Sequence, residues 1–152
     1  MENKQIIKQL NYYYYGMLIL AVVAGTLAFF AVTKELVMLI DPLSSLGKAL
    51  QSIVIMWVLI TLPFGLFHFK QRCKRIAAIE DEQERLMRYA KAAKFRIILV
   101  ASGMSVGIVV FYLMACYQSM LWLTAIAAIG WYFTKPTEKK MYFELHPLEE
   151  QY

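Results

Sequence analysis

Lys70 to Arg96 reads KQRCKRIAAIEDEQERLMRYAKAAKFR. Nine of its residues are basic (Lys70, Arg72, Lys74, Arg75, Arg85, Arg88, Lys91, Lys94 and Arg96) and four are acidic (Glu80, Asp81, Glu82 and Glu84). That excess, nine minus four, equals the formal net charge of +5 on the whole chain. Neither Gly nor Pro occurs between Gly65 and Gly103, so the segment is expected to be helical and not slack. Asp81 followed by Glu84 resembles a capping box with Asp in the Ser/Thr place, and Glu82 and Glu84 suit the first turn of a new helix. Asp81–Arg85 and Glu84–Arg88 are acid-first i, i+4 pairs, each contributing about 0.2–0.5 kcal/mol. Lys74 and Arg75 would meet the carbonyl end of the helix before them. The segment therefore predicts an antiparallel helical hairpin turning near Ile79 to Asp81, with Ile76, Ile79, Leu86, Ala90 and Ala93 along its seam.

Outward from this hairpin both flanks are apolar. SIVIMWVLITLPFGLFHF, Ser52 to Phe69, precedes it and Ile97 to Tyr117 follows it, and neither contains Asp, Glu, Lys or Arg. Farther out lie a 21-residue run without formal charge, Tyr12 to Val32, and a shorter one around Met120 to Phe133. A 21-residue helix spans ~32 Å, which matches a hydrocarbon core of roughly 30 Å. With 60% apolar and 18% charged residues, against about 25% charged in soluble domains, the composition is that of a membrane protein. The expected fold is all-α: one domain over residues 1–152, a bundle of four transmembrane helices at about 12–32, 49–69, 97–117 and 119–134. A hairpin at 70–96 and a tail at 135–152 complete it.

Charge placement fixes the expected orientation. The basic hairpin belongs in the cytoplasm, whereas the segment between the first two spans carries only Lys34 and Lys48, and CYQSM between the last two carries no base. Lys4 and Lys8 before the first span, and Lys135, Lys139 and Lys140 after the last, then fall inside as well. Four crossings satisfy every segment; three would export the basic tail. A cleavable signal peptide competes for the first apolar run, but that run exceeds the usual 7–15 residues and no clear A-x-A site follows. We expect it to be kept as a helix, in the cytoplasmic (inner) membrane of a bacterium.

Tyr12, Tyr13, Tyr14 and Tyr15 stand at the cytoplasmic end of the first span. Successive helical residues diverge by about 100°, so four of them encircle the helix. That suits an interfacial belt, in which rings lie among acyl chains and hydroxyls reach the headgroups. Trp131 and Tyr132 would join the belt from the fourth span. A cationic-ligand cage would need converging rings.

Asp41 and Pro42 suit the N-cap and first position of the second helix, and Leu43, Leu46, Leu50, Ile53, Val54 and Trp57 recur along it at mostly three- and four-residue intervals. Pro63 removes a backbone donor and predicts a kink near Leu59 to Pro63. Gly103 and Gly107 form a GxxxG, with Ala21 and Gly25 as a small-xxx-small counterpart; both permit close helix packing, within one chain or between copies.

Chemistry is sparse. His68 and His146 lack metal-ligand spacing, and Ser102, Ser105, Thr26 and Thr124 are better interhelical hydrogen-bonding groups than nucleophiles, having no base beside them. Cys73 falls inside and Cys116 outside, so they are not expected to pair. Cys73 reads as an exposed inert thiol, or among its cations as a reactive one. No catalytic residue, cofactor or metal is expected. Lys70, Arg72, Lys74, Arg75, Lys91, Lys94 and Arg96 are the candidate contacts to anionic lipid or an acidic partner, a role that competes with simple orientation; nucleic acid is not an expected partner. In the tail, MYFEL alternates like a short strand or docking peptide, Glu144, Glu149 and Glu150 could face the basic hairpin, and a frayed end is the default. The expected function is a non-enzymatic subunit or assembly factor of a membrane complex, associating with other membrane subunits or itself. A small oligomeric uncoupled transporter or channel, with Pro63 near its pathway, is the alternative.

Overall fold

The computed structural model describes residues 3–146. Every regular element among them is helical: α1 (Asn3–Thr33), α2 (Ser45–Pro63), a π-helical turn (Phe64–His68), α3 (Phe69–Ala77), α4 (Glu82–Leu113), α5 (Gln118–Phe133) and α6 (Glu138–Leu145). Three helices are long and apolar enough to cross a membrane: α1, the continuous rod Ser45–Ala77, and α4. At 1.5 Å per residue the 32 residues of α4 reach ~48 Å, longer than a hydrocarbon core of roughly 30 Å. The 16 residues of α5 reach only ~24 Å.

Helix α4 is the hub: α1, α2, α3 and α5 all pack on it. Along α1 the buried residues Ile7, Tyr14, Ala21 and Ala28 recur every seven positions, with Leu10 and Gly25 between them. That repeat keeps one narrow seam facing a partner when the two helices wind slightly around each other. Along α2 and the π turn the buried line is Val54, Val58, Thr61 and Gly65. The larger residues of the expected stripe turn mostly outward: Leu43 in the turn before α2 and Leu46, Ile53 and Trp57 on it are all exposed.

Local chemistry sets the helix ends. Helix α2 starts at Ser45 and not at Pro42, because Asp41 is occupied in a turn. Its carboxylate accepts the Leu43 N–H at 2.9 Å and its carbonyl accepts both the N–H and hydroxyl of Ser44. Ser44 is left as the N-cap, accepting from the Gly47 N–H at 3.0 Å. The departure from α geometry around Pro63 lies one turn later than the sequence suggests, at Phe64–His68. Proline cannot donate to the Leu59 carbonyl, and a wide turn directly after it re-forms the ladder.

The hairpin turns between Ala77 and Glu82, and Asp81 caps α4 by accepting from the Gln83 N–H at 3.0 Å. Ile76, Leu86 and Ala93 are buried at its seam, with Ile79 and Ala90 packed beside them.

At the opposite end of the molecule, α1 and α4 finish alike. The N–H of Leu36 donates to Ala31 O and that of Glu35 to Val32 O; the N–H of Cys116 donates to Phe111 O and that of Ala115 to Tyr112 O. Both are Schellman closures, which call for a left-handed residue just past the helix. Glu35 (φ 55°) and Ala115 (φ 53°), with Cys116 after it (φ 60°), hold that conformation without being glycine. Helix α4 thus ends at Leu113, four residues short of the expected Tyr117. The N–H of Ile40 donates to Leu113 O at 2.9 Å, which ties the α1–α2 loop to the α4–α5 turn.

Candidate functional site

The chemistry-bearing residues gather at the basic end, where α1 begins, α3 and α4 form the hairpin, and α6 folds back. The tail is neither strand nor frayed across Glu138–Leu145. Thr137 accepts from the Lys140 N–H as the N-cap of α6, and Met141 and Leu145, four apart, bury one face in the lobe. Glu149 and Glu150 lie outside the described residues.

Docking of α6 delivers Glu144 into the lobe. One carboxylate oxygen accepts the Tyr89 hydroxyl at 2.6 Å and the other accepts Arg96 Nη1 at 3.2 Å. The Arg96 guanidinium lies 3.7 Å from the centroid of the Phe69 ring, which in turn meets Tyr89 edge-on. Arg96 is only 4% exposed, and its Nε has no hydrogen-bond partner. Its carboxylate partner comes from the same chain, 48 residues away.

Cys73 is buried beside this pair, neither exposed nor activated. Burial first, and then the Glu144 charge, push its thiol up to about 12, with Arg96 opposing. Burial, followed by the same carboxylate, also raises the Tyr89 hydroxyl. Lys140 donates to the Phe133 carbonyl at the end of α5, a cation on the negative end of a helix. Burial, then Arg96, lowers its pKa.

A cavity of about 430 Å³ opens next to the pair. Lys70, Lys74, Arg96 and Lys140 line it with Glu144, while Leu66, Phe133 and Phe143 supply apolar wall. The remaining candidate contacts lie elsewhere. Arg72, Arg75 and Lys91 are exposed, and Lys94 sits 4.0 Å over the Tyr13 ring.

The four tyrosines do not share one environment. Tyr12 and Tyr15 are exposed, but Tyr14 is buried and stacks on Trp131 at 4.2 Å between centroids. This stack joins α1 to the end of α5, while Tyr132 faces outward. The small residues are spent inside the chain. A Cβ on Gly103 would come within 3.3 Å of Val58, one on Gly107 within 2.5 Å of the Thr124 hydroxyl, and one on Gly25 within 3.1 Å of Ile108; Ala21 is buried nearby. Hydroxyls in this region are likewise satisfied locally. Ser102, Ser105 and Thr124 donate to carbonyls of their own helices, and Trp57 Nε1 donates to Ser102. Pro63 is exposed. His68 stacks on Phe64 and His146 on Tyr142.

The chain matches no known family model, no curated protein and no solved structure.

Among the described residues no three of His, Cys, Asp and Glu converge on a point where a metal ion could sit. The site is the buried Arg96–Glu144–Tyr89 group with the cationic cavity beside it. The sequence placed Arg96 among seven interchangeable cations, and the signal that would have separated it is its phase. Arg96 lies three and four residues from Ala92, Ala93 and Val100, on the buried face of α4.

Proposed function

We propose that this protein is a polytopic membrane protein of four crossings with both ends on the inner side, acting as a non-enzymatic subunit or assembly factor of a membrane complex. The bacterial inner membrane is its proposed location. Two observations support the topology. The α1–α2 loop and the α4–α5 turn are hydrogen-bonded together at one end, and the basic hairpin and α6 lie together at the other, as the cation bias of inner segments requires. Short as it is, α5 runs back along α4 until Trp131 meets Tyr14.

One observation carries the subunit reading. Helices α1 and α2 both pack on α4, and each leaves a long row of large apolar side chains outside the chain: Ile19, Leu27 and Phe30 on α1, and Ile53, Met56 and Ile60 on α2. Lipid covers such rows, and so do neighbouring helices of a complex. The transporter alternative would use Thr61, Ser102 and Ser105 to line a path. The Thr61 hydroxyl instead abuts its own helix, 3.4 Å from Val58 O, and Gly103 is packed against Val58.

Affinity purification in a mild detergent tests the reading. A stoichiometric membrane partner should accompany the chain and be lost when Met56 and Ile60 are replaced by Ala. A chain that purifies alone and moves solute across liposomes overturns it.

A further inference from the structure

We propose that the cavity between α3, the end of α5 and α6 seats the phosphate of an anionic phospholipid, held by Lys70, Lys74 and Arg96, with its acyl chains lying against Leu66, Phe133 and Phe143. This goes beyond the subunit reading and does not rest on it.

Four cations against one carboxylate line the cavity, an excess of three. The carboxylate is already engaged, since Glu144 accepts from Tyr89 and Arg96 on its two oxygens, so it opposes an incoming anion weakly. Lys70 and Lys74 lie four apart on α3, on the same face, and both are exposed. Neither has a carboxylate within ion-pair distance among the described residues. Arg96 is nine-tenths buried at the cavity wall, with its Nε hydrogen unused. The guanidinium at this wall matches the oxygens of a phosphate in charge and in planar geometry.

The walls argue for a lipid over a soluble ion. Leu66, Phe133 and Phe143 are all substantially exposed, at 40%, 58% and 44%. Phe133 closes α5 directly after Trp131 and Tyr132, at the level where aromatic rings mark a membrane interface. At about 430 Å³ the space falls within the 300–1,000 Å³ range usual for small-molecule sites, ample for a headgroup.

The test is native mass spectrometry of the full chain released from nanodiscs of phosphatidylcholine doped with phosphatidylglycerol. One phosphatidylglycerol per chain should be retained in preference to phosphatidylcholine. The double variant Lys70→Gln/Lys74→Gln should lose that retention by about 25-fold, near fivefold per lysine, and Lys70→Arg/Lys74→Arg should restore it. Removing two cations outside the cavity, with Arg72→Gln/Lys91→Gln, should leave retention within about twofold, since neither side chain lines the cavity. Equal retention of both lipids, or equal loss in the two Gln variants, overturns the proposal. Inorganic phosphate alone displacing the lipid at millimolar concentration would also overturn it, by assigning the site to a soluble anion.

Discussion

At the basic end of the molecule Ile6, Leu10, Tyr89 and Ile97 are shut inside, and lysines and arginines cover the outside. About three turns further along α1 the outside becomes apolar and small residues enter the inside. Ala21, Gly25 and Ala28 lie inside with Gly103, Gly107 and Ala127, and with Val58, Met104 and Met120, from the facing helices, while Ile19, Leu20, Leu27 and Phe30 stand outside. Both halves are built on α1 and α4, so helix propensity cannot explain the difference. Solvent can. Where water surrounds the lobe, burying large apolar side chains is the driving force. Apolar helices of this kind are compatible with a bilayer, in which large side chains can face outward without cost and small residues let backbones approach closely.

Topology gives the sharpest way to break this comparison, because its readout is all-or-none. Cys116 is exposed in the α4–α5 turn and Cys73 is buried in the lobe. A membrane-impermeant maleimide added to intact cells should label Cys116, and Cys116→Ser should abolish labelling; signal that appears only after permeabilisation reverses the orientation. Cys73 should stay unlabelled in both cases. Its thiol pKa rises from an ordinary 9.0 to about 12 on folding, so above pH 9 the unfolded chain sheds a proton that the folded chain keeps. Lobe stability should therefore be full below that point and decline towards pH 12, less steeply in Cys73→Ala.

Next in size is the buried pair. Glu144→Ala leaves Arg96 buried and unpaired, with an expected loss of about 3–5 kcal/mol. The exposed Glu84–Arg88 pair, with side chains 44% and 61% exposed, should contribute less than about 1 kcal/mol in the matched Glu84→Ala. Thermal or denaturant unfolding in micelles measures both, and equal losses would mean that the lobe is open to water.

The same substitution made in both halves sharpens the contrast. Leu10 is 2% exposed and Leu27 65%. Leu10→Ala should cost about 2–5 kcal/mol, whereas Leu27→Ala should stay within about 0.5 kcal/mol. The smallest effect is a gain. Ala115→Gly removes the left-handed strain at the Schellman position and should stabilise by about 1 kcal/mol, visible as a higher melting temperature.

Much of the helical plan was legible because charge and hydropathy are local. The hairpin turn, the Asp81 cap and the seam through Ile76, Leu86 and Ala93 follow from residues a few positions apart. Other features depend on distant partners. Asp41 is a plausible cap until Ser44 competes for its carbonyl, and Tyr14 is one of four identical residues until Trp131 takes it out of the belt. Arg96 finds its carboxylate 48 residues away. The tail concealed its helix because MYFEL alternates over five residues, while Met141 and Leu145 reveal a helical face only when counted four apart. The cavity was half legible: Lys70, Lys74 and Arg96 were marked by charge, but Lys140 and Phe143 join them only through the folding back of α6.

That 48-residue separation also has a consequence during synthesis. At 5–20 residues per second, Arg96 precedes its carboxylate by roughly 2–10 s, and for that interval the nascent lobe holds a guanidinium that cannot be buried cheaply. A chain that stops before Glu144 lacks the carboxylate that pairs with Arg96. The ion pair thereby distinguishes a finished lobe from an interrupted one.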